Sequence, residues 1–150
     1  MSANSSREIR STVTNEGTLE LSIAVQERPV PGDNEVLLEV GAAPINPSDL
    51  ALLISFAAKL DTLSVSGSGD QTVTSMELHP AMMGALKPRM GESMPVGNEG
   101  GGVVVDAGVN AKHLIGKTVG AAGGAMYSEY RCLPAHSCLP FTNCMPFTEG

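Results

Sequence analysis

The stretch PVGNEGGGVVVDAGVN, residues 95–110, decides the fold class. Its glycines precede three consecutive valines (103–105), so the segment predicts a strand followed by a turn at 107–110. A phosphate-binding loop has the opposite order, because it leaves a strand and opens a helix whose amides point at the anion. The glycines here are instead typical of a curved strand that another backbone or a ligand approaches closely. The sequence contains no dinucleotide-binding fingerprint.

The segments around this stretch predict further strands and one helix. LELSIAV (19–25) alternates apolar and polar residues, as a half-buried strand does. EVLLEVGAA (35–43) predicts a second strand, which Pro44 ends because proline cannot donate to a sheet. DLALLISFAAKL (49–60) has the wide apolar face of a helix, which Pro47 or a Ser48 cap would start. We also expect a polar tail over 1–17 with a first strand near 11–14, strands at 118–122 and 125–134, and irregular structure after 134. The sequence thus predicts a mainly β (α+β) domain, a partly open β-barrel with one or two short helices.

Residues 61–90 separate the helix from the glycine-rich stretch. The part at 61–75 is rich in Gly, Ser and Thr and predicts a hairpin or a mobile loop. The part at 76–90 carries four of the eight methionines, and Pro80 and Pro88 bracket a short helix. Methionine fills gaps in cores and also lines adaptable ligand surfaces, so this part is a core segment or a lid over an apolar ligand. The core interpretation is favoured.

Length and composition exclude several classes of function. The 150 residues suffice for one domain. Nine basic against sixteen acidic residues, 3% aromatics and no Trp argue against nucleic-acid binding. The longest apolar run, 50–58, is interrupted by Ser55 and is too short for a membrane span, and the polar N-terminal sequence lacks the apolar core of a signal peptide. An odd count of three cysteines disfavours a disulfide framework, so we expect a cytoplasmic protein.

Metal binding and nucleophilic catalysis have little support in the residue pattern. Cys132, Cys138 and Cys144 have five residues between one cysteine and the next, and His136 lies between the first two, whereas zinc sites use cysteine pairs with two to four residues between them. Ordinary thiols are the favoured interpretation, and a metal-binding segment is the alternative. The sequence has no G-x-S-x-G elbow for a nucleophilic serine.

Two segments resemble the medium-chain dehydrogenase/reductase superfamily. VLLEVGAAPINPSDLALL (36–53) contains an N-P-x-D signature at 46–49, typical of its zinc-independent quinone oxidoreductases. PVGNEGGGVVVDAGVN, followed by LIGKTVGA (114–121) and AMYSEYRCLP (125–134), is similar to the family's G-x-E-x-x-G-x-V stretch, G-D-x-V turn and "YAEY" strand. The resemblance implies an alcohol dehydrogenase GroES-like catalytic domain over 18–150, with an insertion at about 61–90 beside the substrate cleft. It also implies that the Rossmann domain, which binds the cofactor, is absent and that a chain ending here is inactive alone.

Departures from the family pattern bear on the candidate site. Zinc alcohol dehydrogenases carry catalytic zinc ligands, Cys and His, at the places of Asn46 and Asn98, and a neutral amide binds zinc poorly, so we expect no zinc. Ser48 lies where zinc enzymes place a proton-relay hydroxyl, and Asp49 is expected to fix local geometry. Without a metal, Glu99 is expected to be a buried hydrogen-bonding carboxylate or an anchor of the strand turn.

The resemblance implies the substrate-side half of an NADPH- (or NADH-) dependent oxidoreductase that transfers hydride to a quinone or conjugated carbonyl. Asn46 is the expected hydrogen-bond donor to the carbonyl oxygen or the contact to the nicotinamide ribose; Ser48 and Asp49 are further catalytic candidates, and Asn98 and Glu99 line the substrate cleft. The expected partner is a small-molecule substrate, and copies would self-associate through the face that docks the missing domain. The alternative function is a non-enzymatic GroES-like β-barrel that binds a protein or a small molecule.

Overall fold

The chain folds into short strands that form two sheets. The computed structural model describes residues 4–55 and 58–141. The elements are β1 (Ser5–Val13), β2 (Thr18–Glu27), β3 (Glu35–Ala42), α1 (Pro47–Leu53), β4 (Ser64–Ser66), β5 (Val73–Glu77), α2 (Met83–Leu86), β6 (Ser93–Pro95), β7 (Glu99–Ala107), β8 (Thr118–Ala122), β9 (Tyr130–Pro134) and β10 (Cys138–Pro140). The strand orders of the two antiparallel sheets are β4-β5-β2-β1-β6 and β10-β8-β7-β3-β9. The predicted mainly β class is confirmed, and within these ranges neither sheet closes into a complete barrel.

The chain divides into two compact units. The first consists of the described parts of 1–7, 26–44 and 97–150, and the second of the described parts of 8–25 and 45–96. Several 3-10 turns connect the strands. No helix in the described ranges is both long enough and apolar enough to cross a membrane.

The first unit is organised around β3, which pairs with β7 on one edge and with β9 on the other. Val36 and Leu38 of β3 are fully buried and pack with Val104 and Leu133 of these neighbours. Such apolar burial contributes about 1.5–3 kcal/mol per large side chain. Two register shifts bend β3 against β7, as the clustered glycines predict.

Close backbone approach explains one of these glycines. An ideal Cβ on Gly102 would lie 2.0 Å from the carbonyl oxygen of Glu39 and 3.0 Å from the Cα of Val40, both in β3. A backbone neighbour cannot move aside as a flexible side chain can, so only glycine fits at this position. The strand interpretation of 95–110 is therefore confirmed.

The second unit has its own apolar cluster, made of Val13, Leu19, Met76 and Leu78. Ile54, which follows α1 directly, packs against it, as do Met83, Leu86 and Met90 of the segment 80–90. The core interpretation of the methionine-rich segment is confirmed for these residues. The hairpin interpretation of 61–75 is confirmed as well, because β4 pairs antiparallel with β5.

Four sequence predictions about the elements need correction. The first strand begins at Ser5 and not near residue 11, so most of the expected tail is strand. The helix spans Pro47–Leu53 and not 49–60, because Ser55 adopts a left-handed φ of 53° that ends it. The strand predicted from 125 begins only at Tyr130, since Ala125 also has a positive φ, 57°. The irregular end contains β10, which pairs with β8.

Candidate functional site

The first group of candidate residues forms the first turn of α1. Asn46 is the N-cap residue, with extended backbone angles, and Pro47 occupies the first helical position. The carboxylate of Asp49 accepts a hydrogen bond from the backbone N–H of Asn46 at 2.8 Å, and the N–H of Asp49 donates to the carbonyl of Asn46 at 2.9 Å. Asn46 and Asp49 of the N-P-S-D sequence are thus hydrogen-bonded to each other in both directions. The helix cap is Asn46 and not the predicted Ser48.

Burial separates the roles of these residues. Asp49 is only 1% exposed, so its carboxylate works inside the turn. This placement is compatible with the prediction that Asp49 fixes local geometry, and its role as a catalytic residue stays a prediction. Asn46 is half-buried and Ser48 is exposed, beside the exposed apolar side chains of Ile45 and Leu50. Amide and hydroxyl groups both donate and accept hydrogen bonds, so this turn presents neutral polar groups within an apolar surround.

The second group, Asn98 and Glu99, lies at the entrance to β7 in the first unit. The carbonyl oxygen of Asn98 accepts hydrogen bonds from the N–H groups of Gly123 and Gly124, at 3.1 and 3.2 Å. Glu99 is exposed, so the expectation of a buried carboxylate is wrong. Glu99 instead begins the strand, paired with Ala122, which fits the strand-turn interpretation.

Tyr127 supports this entrance, and the sequence reasoning missed it. Gly97 has a φ of +93°, and a Cβ there would lie 2.7 Å from both the ring Cδ1 and the backbone N of Tyr127. The Tyr127 hydroxyl donates to the carbonyl of Pro44 at 2.9 Å. The signal was available, because the residue belongs to the Y-S-E-Y sequence at 127–130. The identity of the residues alone does not reveal that the Tyr127 ring leaves room only for a glycine at position 97.

Glu129 of the same sequence joins distant segments of the first unit. Its carboxylate accepts hydrogen bonds from the backbone N–H and the Nε of Arg7, each at 2.9 Å, and forms an ion pair with the guanidinium. Its backbone N–H donates to the carbonyl of Arg7, and its carbonyl accepts from the N–H of Val40. The hydrogen bond from the Arg7 side chain is the main reason that the pKa of Glu129 lies below its ordinary value.

The thiols have the properties of packed side chains. Cys138 is buried and Cys132 is half-buried, and both are free. Burial is the main cause that raises the pKa of each thiol, and the Glu35 carboxylate adds to the effect on Cys132. No three His, Cys, Asp or Glu residues in the described part of the chain are grouped to hold a metal ion. Cys144 lies outside the described residues, so the metal-binding alternative for Cys132, Cys138 and Cys144 stays a prediction.

Several solved structures whose fold resembles that of this chain are described as reductases. The chain matches a Mesorhizobium loti protein assigned as an NADPH:quinone reductase, with a TM-score of 0.61 and 22% identity over 99% of this chain and 40% of that one. At this level of identity the likeness shows a shared fold. A mycobacterial protein solved with NADPH matches with a TM-score of 0.58 and 17% identity, over 95% of this chain and 34% of that one. The CurK enoyl reductase matches with a TM-score of 0.61 and 16% identity, over 95% of this chain and 37% of that one.

These matches confirm the fold that the resemblance in the sequence implies. The chain spans well under half the length of each of these three solved chains. No family model matches the chain, and neither does any curated protein.

Proposed function

We propose that this chain is the substrate-side part of a zinc-independent, NADPH- or NADH-dependent oxidoreductase that reduces a quinone or another conjugated carbonyl compound. The observation that carries the proposal is the N-P-S-D turn, which holds Asn46 at the start of α1 through the buried Asp49. The shared fold with an NADPH:quinone reductase and an enoyl reductase supports the reaction class. A small-molecule substrate, a cytoplasmic location and self-association belong to the same proposal.

The chemistry of the turn fits the nicotinamide end of the cofactor. The carboxamide and ribose hydroxyls of that end are neutral groups that donate and accept hydrogen bonds, as the Asn46 amide and the Ser48 hydroxyl do. Asp49, the carboxylate of this turn, is buried and bonded to the backbone, so it adds no exposed negative charge. When bound, the reduced nicotinamide supplies a hydride.

Asn46 would stabilise the charge that develops during the reaction. Hydride addition to a conjugated carbonyl puts negative charge on the carbonyl oxygen, and a fixed donor aimed at that oxygen lowers the barrier. An amide N–H can donate there without a metal. The exposed Ile45 and Leu50 would contact apolar parts of the substrate and keep water from the reacting atoms.

The test compares two substitutions of Asn46. Asn46→Asp retains a good N-cap acceptor, so α1 should form, but it removes the amide donor and adds a negative charge. In a protein that carries this chain together with a cofactor-binding domain, we expect kcat/KM for NADPH oxidation by a benzoquinone to fall about 10- to 100-fold, the value of one hydrogen bond to a charged group. The kcat/KM of Asn46→Ala should fall by a similar factor. This variant should also lose some stability, because the helix cap is missing.

Asn110→Ala is the matched control, because Asn110 is an exposed asparagine whose amide bonds only to the side chain of Asn34 among the contacts the structure gives. Its turnover should equal that of the unchanged protein. A folded Asn46→Asp protein with full turnover would remove Asn46 from the site. Absence of NADPH oxidation by a protein that carries this chain together with a cofactor-binding domain, with both a benzoquinone and an α,β-unsaturated ketone, would favour the non-enzymatic β-barrel.

A further inference from the structure

The C-terminal end of α1 has a hydrogen-bond partner from another element. The last carbonyl groups of a helix have no partner within the helix and must find one elsewhere. The hydroxyl of Ser11, fully buried on β1, donates to the carbonyl oxygen of Leu52 at 2.5 Å. Leu52 lies one residue before the end of α1, so Ser11 fixes the helix at the end opposite to Asn46.

Arg89 determines which way this hydroxyl points. Its Nη2 donates to the Ser11 oxygen at 3.1 Å, from the 3-10 turn Lys87–Arg89. A guanidinium group only donates, so the Ser11 oxygen must accept from it. The single hydroxyl proton of Ser11 is then directed to Leu52. The positive charge also lies on the favourable side of α1, near its carbonyl end.

Arg89 is held in this place without an ion pair among the described residues. Its Nε is buried and has no hydrogen-bond partner in the same part of the chain, and burial lowers the pKa of the guanidinium. A buried donor without a partner destabilises the folded state, so other contacts must hold the Arg89 side chain in place. Packing of the neighbouring Leu86 and Met90 against the cluster that Ile54 also joins fixes the 3-10 turn beside the helix.

We propose that Arg89 is a positioning residue, which holds α1 and its first turn in place through Ser11. The segment 61–90 therefore serves the site by supporting α1 through its last turn. The structural half of this inference stands on the hydrogen bonds alone, whereas its catalytic consequence rests on the function proposed above for Asn46.

The test measures α1 directly, by hydrogen exchange of the Ile54 and Ser55 amides, both of which donate to the carbonyl of Leu50 in the last turn. Arg89→Met keeps the apolar stem and removes the donors, and Ser11→Ala removes the hydroxyl. In both variants these amides should exchange about tenfold faster, which corresponds to the loss of one hydrogen bond. Arg89→Lys retains a cationic donor and should restore slow exchange.

Ser6→Ala is the matched control. Ser6 is also a fully buried serine of β1, but its hydroxyl has no hydrogen-bond partner among the described residues. In Ser6→Ala, the Ile54 and Ser55 amides should exchange at the same rate as in the unchanged protein. Equal exchange in Ser11→Ala and Ser6→Ala would overturn the proposal, as would Arg89→Lys exchanging as fast as Arg89→Met.

Turnover then tests the catalytic consequence. Arg89→Met should lower kcat several-fold with little change in KM, and Arg89→Lys should restore it. Faster α1 exchange with unchanged kcat would overturn the positioning role in catalysis. If a protein that carries this chain together with a cofactor-binding domain does not oxidise NADPH, the proposed function fails, while the exchange data still decide whether Arg89 holds α1.

Discussion

The close contact between β3 and β7 gives a sharp prediction at Gly102. Replacing Gly102 by alanine places a Cβ at 2.0 Å from the carbonyl oxygen and 2.9 Å from the carbonyl carbon of Glu39. Both are backbone atoms of a strand that is paired on its two edges, so relief requires β3 to shift. Overpacking of well-packed sites costs about 1–3 kcal/mol, and a rigid backbone neighbour places Gly102→Ala at the upper end, about 3 kcal/mol.

The neighbouring glycine offers the matched control. A Cβ on Gly101 would lie 3.3 Å from the nearest atom, the carbonyl oxygen of Val119. Alanine is favoured over glycine inside a strand by about 0.5–1 kcal/mol, which offsets the tight contact. Gly101→Ala should therefore remain within about 1 kcal/mol of the unchanged protein.

Urea and thermal unfolding distinguish the two variants. A loss of about 3 kcal/mol lowers Tm by about 6–12 °C in a chain of this size. Gly102→Ala should lower the urea midpoint at an unchanged slope, since the surface exposed on unfolding stays the same. Equal stability of Gly101→Ala and Gly102→Ala would show that the close approach of Glu39 and Gly102 is not present in solution.

Two further predictions concern titratable groups. Because the Arg7 side chain lowers the pKa of Glu129 in the folded state, the pair stabilises the protein above the ordinary glutamate pKa of about 4.3, and this stability is lost as the pH falls through the lower folded value. Both side chains are partly exposed, so Glu129→Gln should lower the free energy of unfolding by about 0.5–1 kcal/mol at pH 7 and leave it unchanged at pH 2.5. Urea unfolding at the two pH values measures this difference. An equal loss of stability at both pH values would contradict the ion pair. Burial raises the pKa of the Cys132 thiol, so iodoacetamide should alkylate it at pH 7.5 at least tenfold more slowly than free cysteine, as measured by mass spectrometry. Alkylation at the rate of free cysteine would show that the thiol is accessible and unperturbed.

Local patterns in the sequence were sufficient to predict most of the strands. The alternation in LELSIAV and the apolar run around Val36 each correspond to a strand within two or three residues. The helix prediction failed at its end because the apolar pattern continues past Leu53, whereas the left-handed backbone of Ser55 stops the helix. A positive φ at serine follows from tertiary packing and leaves no signature in local propensity.

The candidate site was predictable only where its residues are neighbours in sequence. Asn46 and Asp49 are three positions apart, and their spacing predicts the turn that the structure contains. Ser11 and Arg89 lie 78 positions apart, and no motif joins them. Contacts of this kind depend on which strands pair, which composition and periodicity do not determine.

The pairing of β3 with β9 has a consequence for synthesis on the ribosome. Val36 pairs with Leu133, 97 positions later in the chain. At about 5–20 residues per second, roughly 5–20 s pass between the synthesis of the two strands. Until β7 (Glu99–Ala107) is synthesised the apolar β3 lacks both of its neighbours, and after that it still lacks β9, so the nascent chain must keep this strand from non-native association. Folding of the first unit is therefore a late event that waits for the Y-S-E-Y segment to emerge.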